Sequence, residues 1–229
     1  MPAFKTFQTK IGYEFKDGRL LEQAFTHRSY LNENRSAGRE HNERLEFLGD
    51  AVLELAVTEF LFAKYPEKAE GELTAYRAAL VNTVSIADAA GKLGMNEYLM
   101  LSRGESKDTG RARQIILANA FEALIGAIYL DAGYAAAQTF IGEQLFHKTD
   151  DVVANRLWQD AKSKLQETAQ EELGITPAYR LLEQSGPDHD KQFVVGAYIG
   201  NEKIARGAGR SKQEAEQDAA QKALAARGW

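Results

Sequence analysis

Three acids, Glu43, Glu46 and Asp50, share the stretch HNERLEFLGD (41–50), and Asn119 and Glu122 share ILANAFEALIGAIYL (116–130). All five side chains offer oxygen, the donor that hard dications such as Mg²⁺ and Mn²⁺ select. On a helix turning 100° per residue, Glu43, Glu46 and Asp50 fall within about 60° of one another, with Leu45, Leu48, Val52 and Leu55 on the other side. Leu53, Val57 and Leu61 then bring apolar surface back to the acidic side, so this helix is predicted to be apolar nearly all round and central. Carboxylates there are costly unless positive charge neutralises them.

The second stretch places Asn119 and Glu122 on one face, beside Ala123 and Gly126, with Leu117, Phe121, Leu124 and Ile128 opposite. Small residues at that position predict a close approach to a neighbouring helix, bringing Asn119 and Glu122 opposite Glu46 and Asp50. The plain alternative is that the acids are solvated or paired with Arg44, Arg77 or Arg113. Four converging oxygen ligands would instead suit Mg²⁺, with Mn²⁺ as substitute, and metal-assisted phosphodiester hydrolysis. A di-iron bundle needs Glu-x-x-His, and none of His27, His41, His147 or His189 has Glu three residues before it. The chain has no cysteine, which removes thiolate metal sites and disulfides and fits a reducing cytosol.

The elements that must hold these residues follow from periodicity. At 229 residues, two domains are expected. Residues 1–147 read as successive helices: LLEQAF, ERLEFLGDAVLELAVTEFLFAKY, GELTAYRAALVNTVSIADAAGKL, RQIILANAFEALIGAIYLDAG and AAAQTFIGEQLF. A polar stretch, 148–157, is the expected linker. From 158 the pattern becomes α-β-β-β-α, with the strands AYRLLEQ, KQFVVGAYIG and NEKIARGAG between two helices. The N-terminal MPAFKTFQTKIGYEFKDG lacks the apolar block of a signal peptide, and the apolar runs AVLELAVTEFLFA and FEALIGAIYL are too short to cross a bilayer, so a cytoplasmic protein without a membrane partner is expected. A net charge of −5 argues weakly against a polyanionic partner, although the excess acid lies before about residue 155.

HNERLEFLGD resembles the signature stretch of bacterial ribonuclease III. FTHRSY (25–30), EGEL (70–73), ILANAFEALIGAIYLD and the α-β-β-β-α segment follow in that family's order, so the resemblance covers nearly the whole chain. It implies an all-α N-terminal endonuclease domain of ribonuclease III-type helices over 1–147, which also dimerises, and an α+β double-stranded-RNA-binding domain over 158–229. The implied activity is hydrolysis of double-stranded RNA by a homodimer, leaving 5′-phosphate and 3′-hydroxyl ends, in the processing of ribosomal and other RNA.

Carried over by position, the resemblance makes Glu46, Asp50, Asn119 and Glu122 metal ligands, with Asp50 and Glu122 nearest the activated water and Glu43 and Glu70 as auxiliary acids of the same cleft. Phe47 would be the aromatic that plugs the partner subunit; a core phenylalanine is the plain alternative. Asn119 stands where the family usually has aspartate, which removes one negative charge and predicts weaker Mg²⁺ binding. A double-stranded-RNA-binding protein with weak or no cleavage is the rival that this departure raises.

In the second module, Ser163, Gln166 and Glu167 on its first helix, His189 in the loop GPDHDKQF, and Arg210, Ser211 and Lys212 at the start of its last helix are the expected RNA contacts. Lys212-Gln213-Glu214 replaces the family's run of consecutive bases, so a shallower salt dependence is expected. Lys107, Arg111 and Arg113, in SRGESKDTGRAR, either face RNA or are solvated.

Overall fold

A computed structural model describes residues 4–34, 38, 40–155, 158, 160–187 and 191–229. The chain divides into two compact units, 1–158 and 159–229.

The first unit is helical: α1 (Phe4–Ile11), α2 (Gly18–Ala24), α3 (Arg28–Glu33), α4 (Glu43–Lys64), α5 (Glu70–Leu80), α6 (Thr83–Lys92), α7 (Arg111–Ala132), α8 (Tyr134–Leu145) and α9 (Thr149–Ala154). Its centre is the crossing of α4 and α7. Leu45, Val52, Leu53, Ala56, Val57 and Leu61 of α4 are buried against Ala120, Phe121, Ala123, Leu124, Ile125 and Ile128 of α7 and their neighbours. α7 has the length and composition of a membrane span, longer than its apolar run alone predicts, but most of its apolar residues are spent on this core.

Two helical expectations need correction. The run 71–93 is two helices, because Asn82 caps the second one: its side chain accepts the Ser85 N–H at 2.9 Å, which favours a chain break at Val81 and Asn82 over helix continuation. α1 carries no obvious apolar run, yet Phe7 and Ile11 are buried, Phe7 against the rings of Phe25 and Tyr98.

The stretch 148–157 is also not simply a linker. Residues 149–154 form α9, Val152 is buried, and Trp158 meets the edge of Tyr76 at 5.1 Å between ring centroids. Lys148 donates to the Ser85 carbonyl and the Asp88 carboxylate, both at 3.0 Å, and Lys64 pairs with Asp150. Alternating polar composition hid a short helix whose few apolar side chains are all used.

The second unit is α10 (Ala161–Leu173), then the antiparallel sheet β1 (Ala178–Ser185), β2 (Gln192–Ile199) and β3 (Glu202–Gly209) in order 1-2-3, then α11 (Lys212–Arg227). The α-β-β-β-α reading matches this element for element. Leu165 and Ala169 of α10 and Ala219, Ala220, Ala223 and Leu224 of α11 cover Ala197 and Ile199 of the sheet. Asp160 caps α10 through the N–H groups of Lys162 and Ser163.

Candidate active site

The acids are placed by backbone proximity. A Cβ built on Gly49 would lie 1.7 Å from the Glu122 carbonyl oxygen, and one on Gly126 would lie 2.3 Å from the Leu45 carbonyl oxygen. No residue larger than glycine fits at either position, so α4 and α7 touch main chain to main chain, as the small residues beside Asn119 predict. Glu46 and Asp50 flank Gly49 in sequence, and Asn119 and Glu122 precede Gly126 on the facing helix. Both pairs therefore meet across this crossing, with Asp50 exposed and Glu46, Asn119 and Glu122 half-buried.

Among the described residues, their electrostatics are those of a cluster without a counter-charge. Burial, then the charges of Asp50 and Glu46, push the Glu122 carboxyl up from 4.5 to about 7. Glu46 is raised by burial and by Glu43 and Asp50, against the lowering effect of the Asn119 amide. Among the described residues, no basic group acts on either. Two of the three arginines that could have paired with these acids are engaged elsewhere: Arg77 with Thr58 and Glu54, and Arg113 with carbonyls of the preceding loop.

Among the described residues, no three histidine, aspartate or glutamate side chains stand together as a group able to hold one ion. Asn119 accounts for part of this, because it removes a carboxylate from the set. The donor chemistry still fits a hard dication, because Mg²⁺ takes only one or two carboxylates and completes its shell with water and phosphate oxygen.

The auxiliary acids separate. Glu43, in the first turn of α4, lies 3.4 Å from Arg28 and 3.7 Å from His41, and its charge reaches Glu46. Glu70 does not join the cluster within one protomer. It opens α5 in a groove with Thr58, Leu61 and Phe62, which lie 12–16 residues past Glu46 on the same helix, roughly 18–24 Å at 1.5 Å per residue.

Phe47 is 82% exposed and not a core residue. Leu55, expected to be buried, is 51% exposed, and Phe62 is 74% exposed. These three and exposed Ala51 lie within about 80° of α4's circumference, away from the core stripe. A groove beside Phe47 is lined by Gln23, His41, Leu45, Leu48 and Leu130. Equal apolar spacing around α4 concealed which stripe faces inward.

In the second unit, Gln166 and Glu167 are exposed on α10, and the Ser163 hydroxyl donates to Asp160 at 2.6 Å. Arg210 and Lys212 are exposed at the start of α11. Ser211 is the cap of that helix, its hydroxyl accepting the Glu214 N–H at 3.1 Å while Glu214 accepts the Arg210 N–H at 2.9 Å. His189 lies outside the described residues.

A ribonuclease-III-like family model matches residues 17–149, and a double-stranded RNA binding motif matches residues 161–226. The chain belongs to the ribonuclease III family. Ribonuclease 3 of Bacillus licheniformis is 47% identical over 222 residues, covering 97% of this chain and 89% of the relative. Ribonuclease 3 of a Geobacillus species is 48% identical with 96% and 89% coverage. The nuclease domain of ribonuclease III from Campylobacter jejuni, whose structure was described for flexibility in a region involved in dimer formation, superposes with a TM-score of 0.56 at 42% identity, over 62% of this chain and 97% of that domain. The chain is accordingly a metal-dependent endoribonuclease for double-stranded RNA, built from a nuclease unit and an RNA-binding unit.

Missed by sequence reasoning were Arg28 and His41, which lie against Glu43, and the loop-holding role of Arg113. FTHRSY was the signal for the first, but nothing in its spacing tells that Arg28 reaches α4.

Proposed function

We propose that the chain works as a Mg²⁺-dependent homodimer, with Mn²⁺ as substitute, that cuts both strands of duplex RNA and leaves 5′-phosphate and 3′-hydroxyl ends. The observation that carries this reading is the uncompensated carboxyl cluster at the glycine crossing of α4 and α7, with Glu122 raised to about 7 by burial and by Asp50 and Glu46. Glu46, Asp50, Asn119 and Glu122 would hold the ion, which when bound supplies a water of lowered pKa and neutralises the charge gathering on the phosphate. Glu122, close to neutrality, is poised to exchange a proton at its carboxylate oxygens. Glu43 is held at the rim by Arg28 and His41.

The exposed stripe of Phe47, Ala51, Leu55 and Phe62 and the groove next to Phe47 supply the knob and the hole of a two-fold contact, in which each copy offers both. Such a contact gives Glu70 a route to a cleft that it does not reach within its own protomer. In the RNA-binding unit, Ser163, Gln166, Glu167, Arg210 and Lys212 meet the duplex, with the α11 N-terminus directed at phosphate. The lack of cysteine supports a cytoplasmic setting, and processing of ribosomal and other RNA is the proposed role.

Incubation of the full chain with a perfect RNA duplex in Mg²⁺ and in Ca²⁺, beside Glu122→Gln, tests the reading. Cleavage only by the parent and only in Mg²⁺ is expected. A mobility shift without cleavage under every condition would make the protein an RNA binder alone.

A further inference from the structure

The loop between residues 101 and 110 has almost no apolar anchor: 103, 104 and 106–110 are all exposed. Hydrogen bonds fix it instead, and Arg113, in the first turn of α7, supplies two to the loop and a third to the turn before it. Its Nε donates to the Asp108 carbonyl at 3.1 Å, one Nη to the Glu105 carbonyl at 2.6 Å, and the other Nη to the Asn96 side-chain oxygen at 3.0 Å. A planar fork with fixed donor directions can hold three acceptors at once, whereas a lysine ammonium could not match these positions.

The tied loop lies beside the candidate site. The Ser102 N–H donates to Ser29 Oγ at 3.0 Å, and the Arg103 N–H to Glu33 at 3.2 Å. Ser29 follows Arg28, whose guanidinium lies 3.4 Å from Glu43. Glu105 and Glu43 both act electrostatically on His27, so the loop adjoins the first turn of α4. From this loop project Arg103 and Lys107, both exposed and without an ion pair among the described residues. Two unpaired cations beside an acidic cleft have no structural task of their own.

We propose that Arg113 is a positioning residue for duplex RNA: its guanidinium sets the backbone of residues 102–110 so that Arg103 and Lys107 form a preorganised phosphate-binding rim next to the acids. Ordering the loop before RNA arrives removes an entropic cost from binding. The proposal rests on the nuclease reading given above, but its test does not depend on cleavage.

The full-length Arg113→Lys chain is compared with the parent for amide exchange across residues 103–110, for duplex RNA affinity in Ca²⁺ at several salt concentrations, and for kcat, KM and Mg²⁺ requirement where cleavage is present. Expected are faster exchange confined to that loop, affinity reduced and KM raised by about five-fold, kcat and Mg²⁺ requirement unchanged, and a salt slope shallower by about one. Arg103→Ala/Lys107→Ala should reproduce the affinity loss without faster exchange, and adding Arg113→Lys to it should cause little further loss. Asn96→Ala, which removes a single acceptor, gives a milder version of the loop opening should Arg113→Lys unfold. Unchanged affinity despite faster exchange, unchanged exchange, or a loss confined to kcat or Mg²⁺ requirement would each overturn the proposal. A parent that binds but never cuts would defeat the nuclease reading while leaving the affinity comparison decisive for the loop.

Discussion

Gly49 sits so close to the Glu122 main-chain carbonyl that a methyl group there would lie 1.7 Å from the oxygen, well inside contact distance. Gly49→Ala therefore has to push α4 away from α7 at the level of the acids. Overpacking of this kind costs about 1–3 kcal/mol or more, which lowers the melting temperature of a chain this size by roughly 3–10 °C. Duplex cleavage should be lost even at temperatures where the variant remains folded. Gly91, exposed near the end of α6 with nothing near its Cβ position, is the control, and Gly91→Ala should stabilise by about 0.5 kcal/mol.

The pH dependence of the apo protein should carry the signature of Glu122. Its carboxyl is raised from 4.5 to about 7 in the fold, so between those values the folded chain holds a proton that the unfolded chain releases. Its contribution to stability is fully present below about pH 4.5 and is lost as pH rises through about 7. Glu122→Gln, without a titrating group, should be less sensitive to pH over this window and should melt above the parent at pH 8 in EDTA. Equal melting curves for the two chains at pH 5 and pH 8 would show that Glu122 is not stressed by its neighbours.

Asn119 gives a metal prediction. Another unit charge within about 4 Å of an ion is worth at least ~1 kcal/mol even at the dielectric constant of water. Asn119→Asp should thus lower the Mg²⁺ concentration for half-maximal cleavage by roughly five- to ten-fold. An unmoved titration curve would place Asn119 away from the ion.

Phe47→Ala should dissociate the proposed dimer. A central aromatic anchor contributes at least ~2 kcal/mol to association, about a thirty-fold change in the dimer dissociation constant. Sedimentation equilibrium measures it directly, and an unchanged molecular mass would remove Phe47 from the interface.

In the RNA-binding unit, Gln213→Lys adds a cation to an exposed position in the first turn of α11 and should steepen the salt dependence of duplex binding by about one phosphate contact. Glu214→Lys adds the same charge but breaks the hydrogen bond from the Arg210 N–H, so its gain in affinity should come with a less stable helix. Melting curves and filter binding distinguish the two variants.

Much of the fold was legible because its elements repeat a physical pattern. The second unit could be read strand by strand, and the glycine beside Asn119 foretold a close helix crossing. What could not be read was orientation. α4 has apolar residues almost all round, so periodicity alone did not say that Leu53 turns inward while Leu55 and Phe47 face out. Nor could spacing place Glu70, which lies on another helix at the far end of α4 from Glu46. The task of Arg113 depends on three acceptors at three chain positions, none of which marks itself in the sequence.

The docking of α9 and Trp158 onto the Tyr76 side of the nuclease unit decides where the enzyme can be divided. A fragment ending at residue 147 would strip Tyr76 of its indole cover, discard Val152 and leave Asp88 without its Lys148 partner. A fragment carried through Trp158 takes with it everything that seals this flank, so the catalytic half ends with its last aromatic side chain and not where its long helices stop.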